Sequence, residues 1–326
     1  MTEEPDPRKI YPIEEYRRPT PASGPPAGEV PTHGDDLDDI ELPEDFDSDL
    51  FDDNLDDDAT AFAPPEAPPP GLWERVGDIH PGFTYSLVLL ILVCFAAELV
   101  SATLRTGDLL AGGSLSSPFI TAGASAWQLF RAGEWWRLLS SVLLHANGLH
   151  VGSNLLALAV LGGVAERVYG HARFLVLFTL AGAVGSLASL AHQAQQAVAA
   201  APGTVIPGSI GASGAVFGVG AAVVIAAFRM RGLLPPWRAR ALVGATMPLL
   251  LSSFAAGFSR PGTDNAAHAG GALAGLILGL ALPLTSRLTD RPEGSSARAA
   301  WAVAGLAALS ALVASGAVSF ELSRRL

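Results

Sequence analysis

Phe174-Leu-Val-Leu-Phe-Thr-Leu-Ala-Gly-Ala-Val-Gly-Ser-Leu-Ala-Ser-Leu-Ala-His-Gln193 decides the class of this protein, because it opens a run that reaches Phe228 without a single Asp, Glu, Lys or Arg. A bilayer core about 30 Å thick is crossed by roughly 20 apolar residues of helix, so this run is too long for one span. Pro202-Gly203 and Pro207-Gly208 mark where it breaks into a third and a fourth helix. Working outward from it, stretches of the same character cover residues 82–102, 149–168, 172–193, 211–228, 240–259, 266–285 and 299–320. Lipid leaves every backbone amide to be satisfied within its own segment, which selects helices. The expectation is an all-α polytopic membrane protein with seven helices.

Upstream the chain changes character. Residues 1–80 carry 23 Asp or Glu against 5 Lys or Arg, with many prolines and runs such as Asp56-Asp57-Asp58, whereas residues 81–326 carry 8 acids and 15 bases. The net charge of −11 therefore describes the tail and not the membrane part. A segment so acidic and so poor in apolar surface cannot offset the entropy of ordering, so 1–80 is expected to be a disordered spacer. Phe46, Leu50, Phe51 and Leu55 could alternatively form a short partner-binding motif. The first apolar run starts near Phe83 without a preceding basic region, so insertion is expected to use the first helix and not a signal peptide. The one cysteine, Cys94, offers no disulfide framework and no thiolate cluster.

With the tail in the cytoplasm, the inner loops hold Arg167, Arg173, Arg229, Arg231, Arg238, Arg240, Arg287, Arg291 and Arg298, nine against six outside, as the positive-inside rule favours. In that frame His150 and Asn154 open the second helix, Ser213 opens the fourth and His268 opens the sixth. All three helices run outside to inside, so these groups share one depth near the outer face. Polar groups are costly in lipid unless partnered, and their convergence points to a site.

Ser213 lies in Gly208-Ser-Ile-Gly-Ala-Ser-Gly-Ala-Val-Phe-Gly218, where glycines permit a tight entry into a helix whose free N–H groups can stabilise an oxyanion. A serine hydroxyl needs a base, and His268 is the histidine of the later helices. His268, Gly271, Gly275 and Gly279 share one helical face, and Gly214, Gly218 and Ala222 form a comparable stripe, so close packing of the two would bring imidazole to hydroxyl. His150 and Asn154 are one turn apart and both can donate to a developing oxyanion. A zinc site would need a further ligand and a His-Glu-x-x-His helix, which is absent. His145 falls off that face and is expected to hold the loop before the second helix. Singly, a Gly-x-Ser-Gly string can be packing filler and an intramembrane histidine can be structural; the set is what argues for hydrolysis.

Trp136-Arg137, His145 with His150-x-x-x-Asn154, Gly211-Ala-Ser213-Gly214, and Ala267-His268-x-Gly270-Gly271 leading to Gly275 and Gly279 occur in the order of the rhomboid family of intramembrane serine proteases, which the chain resembles over residues 83–285. The resemblance implies a six-helix core, residues 81–286, with 287–326 as a linker and an added seventh helix. It implies Ser213 as nucleophile and His268 as general base without an acidic third member, with His150, Asn154 and the Ser213 amide as oxyanion donors beside Gly211. Phe217 stands where the family often has an aromatic packed on the catalytic histidine. Glu166, Arg167 and Arg137 resemble structural anchors. The implied reaction is peptide hydrolysis in or beside a transmembrane segment of another membrane protein, with no metal, nucleotide or other cofactor and no nucleic-acid partner. A rhomboid-like protein that binds clients without cutting them, and a transporter, are the alternative readings. The near absence of lysine beside abundant Arg and Ala suggests a GC-rich genome and a bacterial plasma membrane.

Overall fold

The computed structural model describes residues 80–106, 118–201, 204, 206–260, 262–285 and 294–323. The chain separates into two units, Met1–Ala67 and Pro68–Leu326, and everything described belongs to the second. The expected acidic tail, except for His80, and residues 286–293 of the linker lie outside the described residues.

The described residues are mostly helical, and the seven expected spans are present: Gly82–Thr106, Gly148–Tyr169, His171–Ala199, Ser213–Arg229, Pro236–Ser259, Asn265–Ala281 and Ser295–Ser323. Five are long and apolar enough to cross a membrane unaided, while the fourth and sixth are apolar helices of 17 residues each. At 1.5 Å per residue those two are only about 25 Å long, less than a bilayer core. Gly185 of the third helix lies against Gly214 and Ala267 while that helix continues to Ala199, so the N-termini that carry Ser213 and Asn265 start inside the bundle. The segment between the first and second helices contributes three short helices, Pro118–Gly123, Trp127–Arg131 and Arg137–Leu143.

The fourth helix is buried along nearly its whole length, ringed by the second, third, fifth and sixth. By contrast Thr246 is the buried residue of the fifth helix, which lies on the outside of the bundle. That helix begins at Pro236, so Arg238 and Arg240, expected in a loop, sit instead in its first turns; proline is well suited to a helix start because its missing N–H is not needed there. A π-helical turn at Leu158–Gly162 interrupts the second helix, placing Gly162 against Thr84 and Phe174. The seventh helix packs on the third through Gly305, which sits against Ala172, and through Trp301, whose ring lies under the Arg173 guanidinium. Further along, Ser319 faces Gly123 and Gly316 faces Leu143, so this helix also covers the segment that leads to the second helix.

Buried polar groups tie the helix ends together. Glu166 is fully buried and accepts from the Phe83 and Thr84 amides (3.0 and 2.8 Å), from Thr84 Oγ1 and from His171 Nδ1, pinning the first helix to the turn at Gly170. Arg137 donates to Glu134, Thr121 O and Ala124 O. These contacts give Glu166 and Arg137 the anchoring geometry expected of them. Replacing Glu166 by Ala would leave several buried donors without an acceptor, at a cost of about 3 kcal/mol. We expect a clearly lowered thermal unfolding midpoint in detergent; an unchanged midpoint would show that the first helix is held elsewhere. Tyr169 donates its hydroxyl to Ala222 O (2.9 Å) and Gly279 O (3.2 Å), fastening the fourth helix to the sixth at the end remote from Ser213.

Candidate active site

The four residues before Ser213 are tied down by backbone hydrogen bonds at Ser209, Gly211 and Ala212. Ser125 and Ser209 exchange both backbone hydrogen bonds (2.9 and 2.8 Å), the Gly211 amide donates to Ser141 O (2.8 Å), and the Ala212 amide donates to His145 Nε2 (3.3 Å). Gly211 has φ +122°, a conformation that side chains rarely adopt, and a Cβ there would lie 2.7 Å from His150 Nε2. Glycine is thus required twice over, for the turn and for the approach of the imidazole. The chain enters the fourth helix at Ser213, whose first amides have no intrahelical acceptor.

His268 reaches this point because the small-residue stripes interlock residue by residue. A Cβ on Gly271 would collide with Gly214 O, one on Gly275 with Gly218 O, and one on Gly279 would meet Ala222 Cα at 3.0 Å. The backbones are in contact, and the imidazole one turn before Gly271 places Nε2 2.9 Å from Ser213 Oγ. Phe217, one turn after Ser213, stacks on the His268 ring with centroids 4.2 Å apart and planes 6° apart. His268 is buried, and among the described residues its Nδ1 has no hydrogen-bond partner. Asp264 caps the sixth helix by accepting from the Ala267 amide (2.9 Å), which fixes the start of the helix that carries the histidine.

On the other side, Asn147 caps the second helix by accepting from the His150 amide (2.9 Å). The Ala146 amide donates to His150 Nδ1 (3.3 Å), so in the neutral ring the proton sits on Nε2, the atom that faces Gly211. Asn154 Nδ2 donates to His150 O (2.8 Å), leaving its second proton for another acceptor. His145 lies edge-on to His150, ring centroids 5.0 Å apart. Burial, and secondarily the neighbouring His150, hold the His145 pKa far below the ordinary histidine range, and Nδ1 faces Leu143 O at 3.3 Å, so the neutral ring donates there and Nε2 accepts from Ala212.

The structure thus gathers Ser213, His268, His150, Gly211 and Phe217 into one cluster of contacts, with Asn154 bonded to His150 at its side. It also gives His145 a wider task than holding its own loop, since it joins that loop to the one before Ser213. Two further residues support the cluster, Glu98, whose place near the end of the first helix suggests a structural role from sequence, and Gln193. Glu98 of the first helix is fully buried and receives the His145 amide at 3.3 Å. Gln193 accepts from the Trp127 amide and donates to Ser125 O and Ser189 Oγ, securing the Ser125–Ser209 pairing. Gln193 had a detectable signal, an amide inside a charge-free apolar run; the backbone pairing it supports had none. Among the described residues no group of three His, Cys, Asp or Glu could hold a metal ion.

A hydroxyl hydrogen-bonded to an imidazole, beside a second imidazole that points its proton at the same glycine turn, can activate a nucleophile and receive an oxyanion. Comparison with known proteins finds relatives in the rhomboid family. Residues 132–284 match the rhomboid domain. The chain is 32% identical over 205 residues to the Rhomboid protease GluP of Bacillus subtilis (strain 168), covering 63% of this chain and 35% of that one. It is 32% identical over 215 residues to the Rhomboid protease AarA of Providencia stuartii, covering 61% of this chain and 71% of the relative. Identity to the RHOMBOID-like protein 5 of Arabidopsis thaliana is 34% over 167 residues, covering 50% of this chain and 48% of the relative. The chain thus spans most of the second of these relatives, about half of the third and about a third of the first.

Proposed function

We propose that this chain, which belongs to the rhomboid family, is an intramembrane serine endopeptidase that cuts transmembrane protein substrates with Ser213 as nucleophile and His268 as general base. The observation that carries the reading is the 2.9 Å contact between Ser213 Oγ and His268 Nε2, made across two helices whose backbones touch. His268 takes the Ser213 proton on Nε2 as Oγ attacks the scissile carbonyl carbon. The resulting oxyanion lies between the Ser213 amide, His150 Nε2–H and the free proton of Asn154 Nδ2. His268 then returns its proton to the leaving amine, the acyl ester on Ser213 remains, and a water activated by the same imidazole releases the product.

No carboxylate orients His268 in this scheme. The Phe217 ring, stacked face to face on the imidazole, replaces it in two ways: it restricts rotation of His268, and its π face favours the imidazolium as that charge forms. Since the Ser213 end of the fourth helix is recessed in the bundle, a substrate helix must unwind locally to present its bond. Substrates with small or helix-weakening residues near the cut are therefore preferred. The core comprises residues 81–286, the acidic segment 1–80 lies on the cytoplasmic side, the site opens toward the outer face, and the host membrane is a bacterial plasma membrane.

Labelling of the detergent-solubilised protein by a fluorophosphonate tests this reading. Covalent labelling of the wild type is expected at Ser213 and should be lost in His268→Ala, because the hydroxyl then has no base. If the wild type resists a probe that demonstrably enters the site, the chain binds membrane clients without cutting them.

A further inference from the structure

At the end of the bundle opposite Ser213, the fourth and sixth helices finish together. Arg229 Nη1 donates to Gly279 O and to Leu282 O, both at 2.7 Å, so its guanidinium is fixed over the end of the sixth helix. Beside it lies an open cleft of about 540 Å³ lined by Ile225, Phe228, Arg229, Arg231, Gly232 and Leu280. One side of this cleft is cationic. The other is apolar and outward-facing, with Phe228 and Leu280 both more than half exposed. Arg238 and Arg240 follow in the first turns of the fifth helix.

No Asp or Glu occurs in the sequence between Glu166 and Asp264. Among the described residues no carboxylate pairs with Arg229 or Arg231; the ion pairs are Arg137 with Glu134 and His171 with Glu166. A membrane helix ends here, so the cleft meets the bilayer where headgroups begin. The fixed Arg229 guanidinium and the exposed Arg231 beside it suit a phosphate, which arginine binds through charge-assisted hydrogen bonds, and the adjoining apolar wall suits acyl carbons.

We propose that this cleft is a binding site for an anionic phospholipid, with Arg229 and Arg231 facing the phosphate and Ile225, Phe228 and Leu280 lying along the first part of an acyl chain. The apolar wall is what distinguishes a lipid from free phosphate as the occupant. The site is independent of the hydrolytic reading, since none of its residues touches Ser213 or His268.

Native mass spectrometry of the full chain, released from detergent with phosphatidylglycerol or phosphatidylcholine added, reads the site directly. Phosphatidylglycerol should be retained about tenfold more tightly than phosphatidylcholine, and Arg231→Gln should remove about that factor while Arg231→Lys recovers part of it. Arg298→Gln, which removes another exposed arginine at the start of the seventh helix, should change nothing. Unfolding midpoints alongside show that the variants are folded, and millimolar inorganic phosphate should not displace the lipid. Equal losses in Arg231→Gln and Arg298→Gln would reduce the effect to diffuse charge attraction and overturn the site. Equal retention of the two lipids, or displacement by inorganic phosphate, would overturn it as well.

Discussion

Ser213→Ala is expected to lower kcat/KM for a transmembrane client in proteoliposomes by about ten-thousandfold or more. The size follows from the geometry. Ser213 Oγ is the hydroxyl that His268 Nε2 touches, and alanine removes the attacking atom while leaving the helix start and the glycine contacts in place. The loss should therefore come without a fall in the unfolding midpoint. His268→Ala should reduce the rate to a similar level, and the double variant should be little worse than either, because groups that act as a unit do not contribute additively. His150→Ala should cost less, about a hundredfold, since it removes one oxyanion donor while the nucleophile and base remain. Cleavage by Ser213→Ala at the wild-type rate would remove Ser213 from the reaction. If clients bind equally to both proteins and neither cuts them, the chain is a client binder.

The positions of the spans were legible because hydropathy alone sets them: each expected segment overlaps an observed helix, and their ends differ by a few residues. The start of the fifth helix is the clearest difference, since Arg238 and Arg240 read as loop residues while Pro236 in fact opens the helix. The facing of Gly271 on Gly214 and Gly275 on Gly218 was legible too, as two stripes of small residues at helical spacing. What could not be read depends on tertiary neighbours. The π turn at Leu158–Gly162 has no hydropathy signature, and its Gly162 is intelligible only once Thr84 and Phe174 are seen beside it. Glu166 could be placed near a helix end, but its partners Phe83 and Thr84 lie more than 80 residues away. The same holds for His145 and Ala212, whose contact turns two loops into one support for Ser213.

These hidden contacts share a direction. Glu98 holds the His145 amide, His145 holds the Ala212 amide, Ser141 holds the Gly211 amide, and Gln193 secures the pairing of Ser125 with Ser209. Four elements outside the fourth helix thus converge on the five residues before and including Ser213. The seventh helix stands behind them, through Gly316 against Leu143 and Ser319 against Gly123. A serine at a recessed helix start needs this support, since a displacement of about 1 Å at a reacting group can cost about a hundredfold in rate.

That sensitivity gives the second large effect, at a residue that carries no functional group. Gly275→Ala adds one methyl, which would fall on the carbonyl oxygen of Gly218, a backbone atom that cannot rotate away. Gly271→Ala does the same at Gly214 O, the residue next to Ser213. The helices can relieve either collision only by separating. Separation by about 1 Å would stretch the 2.9 Å contact between Ser213 and His268 beyond hydrogen-bond reach. Each variant should therefore lose fluorophosphonate labelling by about a hundredfold and unfold earlier, with overpacking costing about 3 kcal/mol. Gly244→Ala in the exposed fifth helix supplies the contrast. A Cβ there meets nothing within 4 Å, so the better helix propensity of alanine should leave labelling intact and stability equal or slightly higher. If Gly275→Ala is labelled and unfolds like the wild type, the fourth and sixth helices are not in backbone contact, and the short path from His268 to Ser213 needs another explanation.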